Sequence, residues 1–181
     1  MVQLVRPRSV TVHDDGLLDR LVFSVPGVPV PKGRPRGRAR LVHTDRGPVA
    51  QPITPRSPKR TQRYEADIAQ AAHLALHTVH RDSRRFPERL PLRLVVTGYW
   101  PRPMRRPAHV PAALWRTGRP FPRPSTPDFD NVAKVAADAL NGLGIWTDDA
   151  VITDGRGLTR YCGQGEKARL VVVVDRDPEG F

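Results

Sequence analysis

Cysteine is almost missing from this chain of 181 residues, which contains one, Cys162. A single thiol excludes an internal disulfide and a zinc site built on paired cysteines, and it suits a reducing compartment. Hydrophobic residues reach only 39%, so the core is modest and fits one domain rather than two. No run approaches the roughly 18–20 apolar residues of a membrane span. The start of the chain, with Asp14 and Asp15 ahead of a short apolar run, lacks the form of a secretory signal. The expectation is a soluble intracellular protein with no membrane contact.

Acid is the other shortage. Against 30 Lys+Arg stand 18 Asp+Glu, a formal net charge of +12 and a pI near 11.2. Such a surface attracts polyanions, nucleic-acid phosphate first among them. Residues 29–63 hold ten basic residues, seven prolines and one acid, Asp45, and residues 101–124 hold six arginines, seven prolines and no acid. Proline at that density, with no periodicity, predicts long cationic loops rather than helix or strand. Lys32, Arg34, Arg36, Arg38 and Arg40 alternate with small or proline residues. In an extended loop their charges fall on one side, suited to following a phosphate backbone. Arg105 and Arg106 stand in the second loop, beside Trp100, Trp115 and Phe121. Those aromatics either stack on unpaired bases or pin the loop to the core.

Regular elements lie between these loops. Residues 1–20 read as a poorly ordered extension, and residues 21–181 as the domain. Residues 21–25 are a short β-rich run closed by Pro26-Gly27, a first strand. Tyr64, Ile68, Ala71, Ala72, Ala75 and Val79 recur at helical spacing, in a helix begun by Pro58 or Thr61. Residues 92–99 form a second strand. Val132, Val135, Ala136, Ala139 and Leu140 give the clearest stripe, at i, i+3, i+4, i+7 and i+8, and Asn141-Gly142 supplies a left-handed stop. Residues 150–153 and 169–175 read as two more strands, with Gly155 and Gly163-Gln164-Gly165 in the turn between them. The order β-α-β-α-β-β, with loops too long for a doubly wound sheet, predicts an α+β fold with one mixed sheet and two main helices.

The scarce acids are gathered. Asp128-Phe129-Asp130-Asn131 opens the second helix, Lys134 and Asp138 follow on it, and Asp148-Asp149 come shortly after. Asp130, Lys134, Asp138 and Asn141 fall within about 80° of one another on the helix, opposite the apolar stripe. Read plainly, that is a solvated face with acid–lysine pairs, and Asp128 is a helix cap. Read chemically, Asp128 and Asp130 point the same way if the lead segment is extended, and one of Asp148 and Asp149 joins them from the mouth of a strand. Clustered carboxylates repel unless a cation offsets them. Mg²⁺ suits all-oxygen ligands, and such a centre hydrolyses phosphodiesters, with Lys134 beside it to stabilise developing charge. A basic protein with an acidic knot therefore reads as a nuclease. The alternative is a non-catalytic DNA-binding protein whose acids pair with arginines. His73 and His77 lie one turn apart without a third ligand, a plain helix face. Cys162 has no paired base near it in sequence.

The run from Pro127 to Lys134, then Asp138-Ala139-Leu140-Asn141-Gly142 and Trp146-Thr147-Asp148-Asp149-Ala150, resembles the RusA family of Holliday junction resolvases. The segment from Val28 to Arg36 and the C-terminal strand resemble it too, over residues 21–176 in all. The resemblance implies a homodimeric, Mg²⁺-dependent endonuclease, tolerant of Mn²⁺, that resolves four-way DNA junctions by paired symmetric nicks in recombination and repair. It further implies cytoplasmic, nucleoid-associated work in a bacterium or phage. By the same resemblance the essential acids are Asp128, Asp130 and Asp149, and the essential lysine is Lys134. Val151 stands where many members have Gln, which removes a polar contact there but leaves the ligands untouched; both basic loops are long, which leaves related flap and fork substrates open.

Overall fold

The computed structural model describes residues 9–32, 38–45, 47–53 and 58–177, with positions 38–40 and 50–53 described in backbone only. Strands β1 (Ser9–Val12), β2 (Leu18–Pro26), β5 (Leu92–Trp100), β6 (Phe121–Pro122), β7 (Ile152–Tyr161) and β8 (Arg169–Arg176) form one sheet in the order β1-β2-β8-β5-β7-β6. Only β5 and β7 run parallel; the other pairs are antiparallel. Strands β3 (Arg38–Thr44) and β4 (Gly47–Ile53) make a separate hairpin. Helices α1 (Lys59–Leu76), α2 (Ala112–Arg116) and α3 (Phe129–Asn141) complete the fold. This is the α+β architecture with one mixed sheet that the sequence predicts.

Period-two burial builds one face of the sheet. Leu21, Phe23 and Val25 of β2, Leu170, Val172 and Val174 of β8, and Leu92, Leu94 and Val96 of β5 are all buried. Helices α1 and α3 lay their apolar stripes on that face and join it in one cluster. The buried residues of α3 are Val132, Val135, Ala136, Ala139 and Leu140, the predicted stripe. Helix α1 buries Tyr64, Ile68, Ala71, Ala72 and Ala75 as expected, and it ends at Leu76, so Val79 lies beyond it.

Tyr64 carries a polar group into this core. Its hydroxyl is buried without a hydrogen-bond partner, and burial pushes its pKa upward. An unsatisfied buried hydroxyl costs roughly 1–3 kcal/mol of desolvation. Tyr64→Phe is therefore expected to raise stability by about 1 kcal/mol in urea unfolding. A clear loss would show that the hydroxyl is satisfied.

Several expectations are corrected. Residues 9–12 of the presumed disordered extension form edge strand β1, and β2 begins at Leu18, before position 21. The first basic loop contains the β3–β4 hairpin, and the second contains α2 and β6. Prolines are tolerated there because the hairpin pairs only with itself and β6 is a two-residue edge. Gly142 is not left-handed (φ −64°); Gly144 takes that role, at φ 63°. Finally, β7 starts at Ile152 and runs straight through Gly155 to Tyr161, where a turn was expected.

The reason β7 carries glycine decides where α3 sits. A Cβ on Gly157 would lie 2.0 Å from the Phe129 carbonyl oxygen and 2.7 Å from its carbonyl carbon. The first turn of α3 thus rests directly on the backbone of β7, which only glycine permits.

Candidate active site

The start of α3 presents the first two acids. Asp128 is the N-cap residue, extended at φ −65° and ψ 152°, yet its side chain makes no cap hydrogen bond. Capping by the carboxylate, the plain reading, is not realised. Asp130 lies in the first helical turn, where the helix dipole favours a carboxylate. Asp128, Phe129 and Asp130 are all exposed, and so is Lys134 one turn on.

The rest of the polar stripe is taken into structure. Asp138 pairs not with Lys134 but with Lys32, whose ammonium lies 2.7 Å from Asp138 and 2.6 Å from Glu65 of α1. Burial pulls the Lys32 pKa down, the two carboxylates outweigh it, and the net shift is upward. The Lys32 backbone N–H also donates to the Asn131 carbonyl at 3.0 Å. Asn141 accepts a hydrogen bond from the Trp146 indole N–H.

The second acid pair stands in a 3-10 turn over Asp149–Val151, ahead of β7 rather than within a strand. The Asp148 carboxylate caps that turn, accepting from the Ala150 N–H at 2.9 Å. This bond, followed by one with Asp149, holds the Asp148 pKa low. Asp149 is pushed up, first by the hydrogen bond to Asp148, then by desolvation and by the charges of Asp148 and Asp138. The Asp148 carboxylate is thus taken up by the turn.

Among the described residues, no three His, Cys, Asp or Glu side chains stand together as a metal site. The three carboxylates expected as ligands, Asp128, Asp130 and Asp149, are an all-oxygen set of the kind that suits Mg²⁺.

The basic residues divide in the same way. Lys32 was expected in a row following phosphate, and instead bridges α1 and α3 inside the fold. Arg34 and Arg36 lie outside the described residues. Arg38 and Arg40 lie in β3, in register with Ile53 and Gln51. In the second loop Arg105 is exposed, and Arg106 donates to the Val110 carbonyl. The loop aromatics pin the loop rather than stand free. Phe121 is fully buried, Trp100 is nearly so, and Trp115 meets Phe121 edge-on at 5.7 Å. Arg102 lies 3.9 Å over Trp115 and donates to its carbonyl at 2.7 Å, while Arg123 covers Trp100 at 4.6 Å.

Residues 26–174 match the description of a single protein family, endodeoxyribonuclease RusA. The chain belongs to the RusA family. The match takes in β2, both helices that frame the acids, and all of β7, so the family reading drawn from the motifs holds across the fold. RusA proteins are DNA-cleaving enzymes, and the family is that of the Holliday junction resolvases. No curated protein matches the chain, and no described helix is long and apolar enough to cross a membrane.

Glu65 and Gly157 were not legible as site-shaping residues. Glu65 is one charge on an amphipathic helix, and nothing in its spacing points to Lys32. Gly157 could have been suspected from glycines two apart in a segment otherwise able to be a strand.

A separate prediction follows for Lys32. Lys32→Ala leaves Asp138 and Glu65 facing each other half-buried, and is expected to cost roughly 2–3 kcal/mol. A lysine that contacts DNA phosphate would, when removed, lower the slope of log affinity against log salt by about 0.9. The slope is expected to stay unchanged in Lys32→Ala; a reduced slope would return Lys32 to the DNA surface.

Proposed function

We propose that this RusA-family chain is a homodimeric, Mg²⁺-dependent endonuclease that resolves four-way DNA junctions by paired, symmetric nicks. The observation that carries the reading is the exposed Asp128-Phe129-Asp130 step at the start of α3, with exposed Lys134 one turn away. Exposed carboxylates on a chain of net charge +12 oppose polyanion binding unless they hold a cation. A bound divalent ion supplies charge stabilisation at the scissile phosphate. Mn²⁺, which also takes oxygen ligands, is expected to substitute.

The chain's own residues have separate duties. Asp128, Asp130 and Asp149 are the proposed ligands, and Lys134 lies where it can oppose negative charge developing on the substrate. Arg34, Arg36, Arg38, Arg40 and Arg105 are proposed to hold DNA backbone, a sequence-independent grip that suits recognition of branch shape. The proposed setting is recombination and repair in a bacterial or phage cytoplasm.

The test compares a synthetic four-way junction, a flap and a linear duplex, with Mg²⁺, Mn²⁺ or chelator and with product ends mapped. Nicks at symmetry-related positions, in the junction only and abolished by chelator, are expected. Binding without any cleavage would instead support a non-catalytic DNA-binding protein, and preferred flap cleavage a related nuclease.

A further inference from the structure

Helix α1 ends in a pair of histidines that the proposed nuclease chemistry does not use. His73 and His77 lie one turn apart, both exposed, on the side of α1 opposite its buried residues Ile68, Ala71, Ala72 and Ala75. Their rings meet edge to face, with centroids 4.4 Å apart and planes at 87°. The two Nε2 atoms face each other at 2.9 Å. Sequence spacing showed only that the rings share a helix side; the structure brings two ligand nitrogens to one spot.

The distance between them carries chemical information. Two nitrogens, each about 2.05 Å from an ion, stand about 2.9 Å apart at a right angle and about 3.3–3.4 Å apart at the tetrahedral angle. The pair therefore fits neighbouring positions of a square-planar or octahedral ion without rebuilding the helix. The backbone beneath is already closed, with the His77 N–H donating to the His73 carbonyl at 3.0 Å. Two ligands held by one such turn act as a chelate, because little chain ordering remains to oppose binding. Without an ion, one ring N–H donates to the other nitrogen. Moving that proton through water to Nδ1 of its own ring frees both Nε2 lone pairs, and no net proton is released.

We propose that His73 and His77 form a two-ligand site for a transition-metal dication of the Cu²⁺ or Ni²⁺ kind, with water in the remaining positions. Imidazole suits such ions and carboxylate suits Mg²⁺, so this site and the acids of α3 take different metals. Affinity runs highest for Cu²⁺, and the right-angle spacing disfavours Zn²⁺, which takes tetrahedral ligands. His77 is the C-cap residue of α1, so a bound ion clips the last turn of the helix. It stabilises the folded chain by mass action, since an unfolded chain does not hold the two rings together.

The full chain, without a histidine tag and stripped by chelator, is titrated in a calorimeter with nickel or copper chloride. Excess Mg²⁺ is present throughout to occupy the carboxylates. One ion per chain and a raised unfolding midpoint are expected. His73→Ala and His77→Ala each leave one ligand and are expected to weaken binding by roughly a hundredfold. Both sites are exposed and alanine favours helix, so the variants fold. His80→Ala, at a ring that lies 3.5 Å from Asp82, and Asp130→Asn are expected to bind as the wild type does. Cys162, the single thiol, is fully buried and does not compete. In the copper-loaded wild type, nitrogen splitting in the electron paramagnetic resonance spectrum is expected, reduced in either histidine variant. No uptake by the wild type, unchanged uptake by both histidine variants, or loss of uptake in Asp130→Asn would overturn the site.

Discussion

Asp130→Asn is expected to reduce junction cleavage by roughly a thousandfold or more, against the ten- to hundredfold typical of an auxiliary contact, while junction affinity stays within about threefold. The substitution keeps shape and removes one negative charge at an exposed position. It leaves the buried stripe of α3 intact, and the loss of a helix-dipole interaction there costs only about 0.3–1 kcal/mol. Stability therefore changes little, and a loss of activity is attributable to chemistry. Binding is proposed to rest on arginines spread over two long basic segments, and removing an acid from such a surface weakens no phosphate contact. Three measurements on one preparation check the result: nicking of a labelled four-way junction in Mg²⁺, retardation of the same junction in chelator, and thermal unfolding. Continued cutting at near wild-type rate would remove Asp130 from the chemistry.

Gly157→Ala is expected to damage the protein in a different way, losing stability and activity together. The new methyl would sit 2.0 Å from the Phe129 carbonyl oxygen, a backbone atom in the first turn of α3, which no side-chain rotation can relieve. Either β7 or the start of α3 must shift. Overpacking of this kind costs roughly 1–3 kcal/mol, and more where backbone must move. Because Asp128 and Asp130 flank Phe129, displacement by about 1 Å carries both away from their working position, for which a loss near a hundredfold is expected. Gly155→Ala is the control: a Cβ there meets only Ile152, at 3.8 Å. Urea unfolding and junction nicking of the two variants should therefore diverge. Equal behaviour would mean that α3 is not seated on Gly157.

How much of this was legible depended on how local the deciding physics was. The stripe of α3 was read residue for residue because helical periodicity reports which side meets a core, whatever that core is. Strands β5 and β8 were found for the same reason, as apolar β-rich runs bounded by breakers. The proline-dense segments defeated that reasoning. Proline argues against a central strand, but β3, β4 and β6 pair at edges or with each other, where a missing N–H costs little. Strand β1 was missed because residues 9–12, largely exposed, carry no burial pattern to read. Gly155 imitated a turn, although it lies within β7, two residues before the glycine on which α3 is seated.

From the amino-acid order alone came the family motif, the surplus of positive charge, the oxygen-only donor set and the face each helix buries, since all of these are properties of composition or of short-range spacing. Which charges meet was beyond its reach. Lys32 lies 33 residues from Glu65 and farther still from Asp138, and only the packing of α1 against α3 turned a presumed DNA-binding lysine into an internal tie. Packing also seated the start of α3 on Gly157, because two backbones approach that closely only where a Cβ is missing.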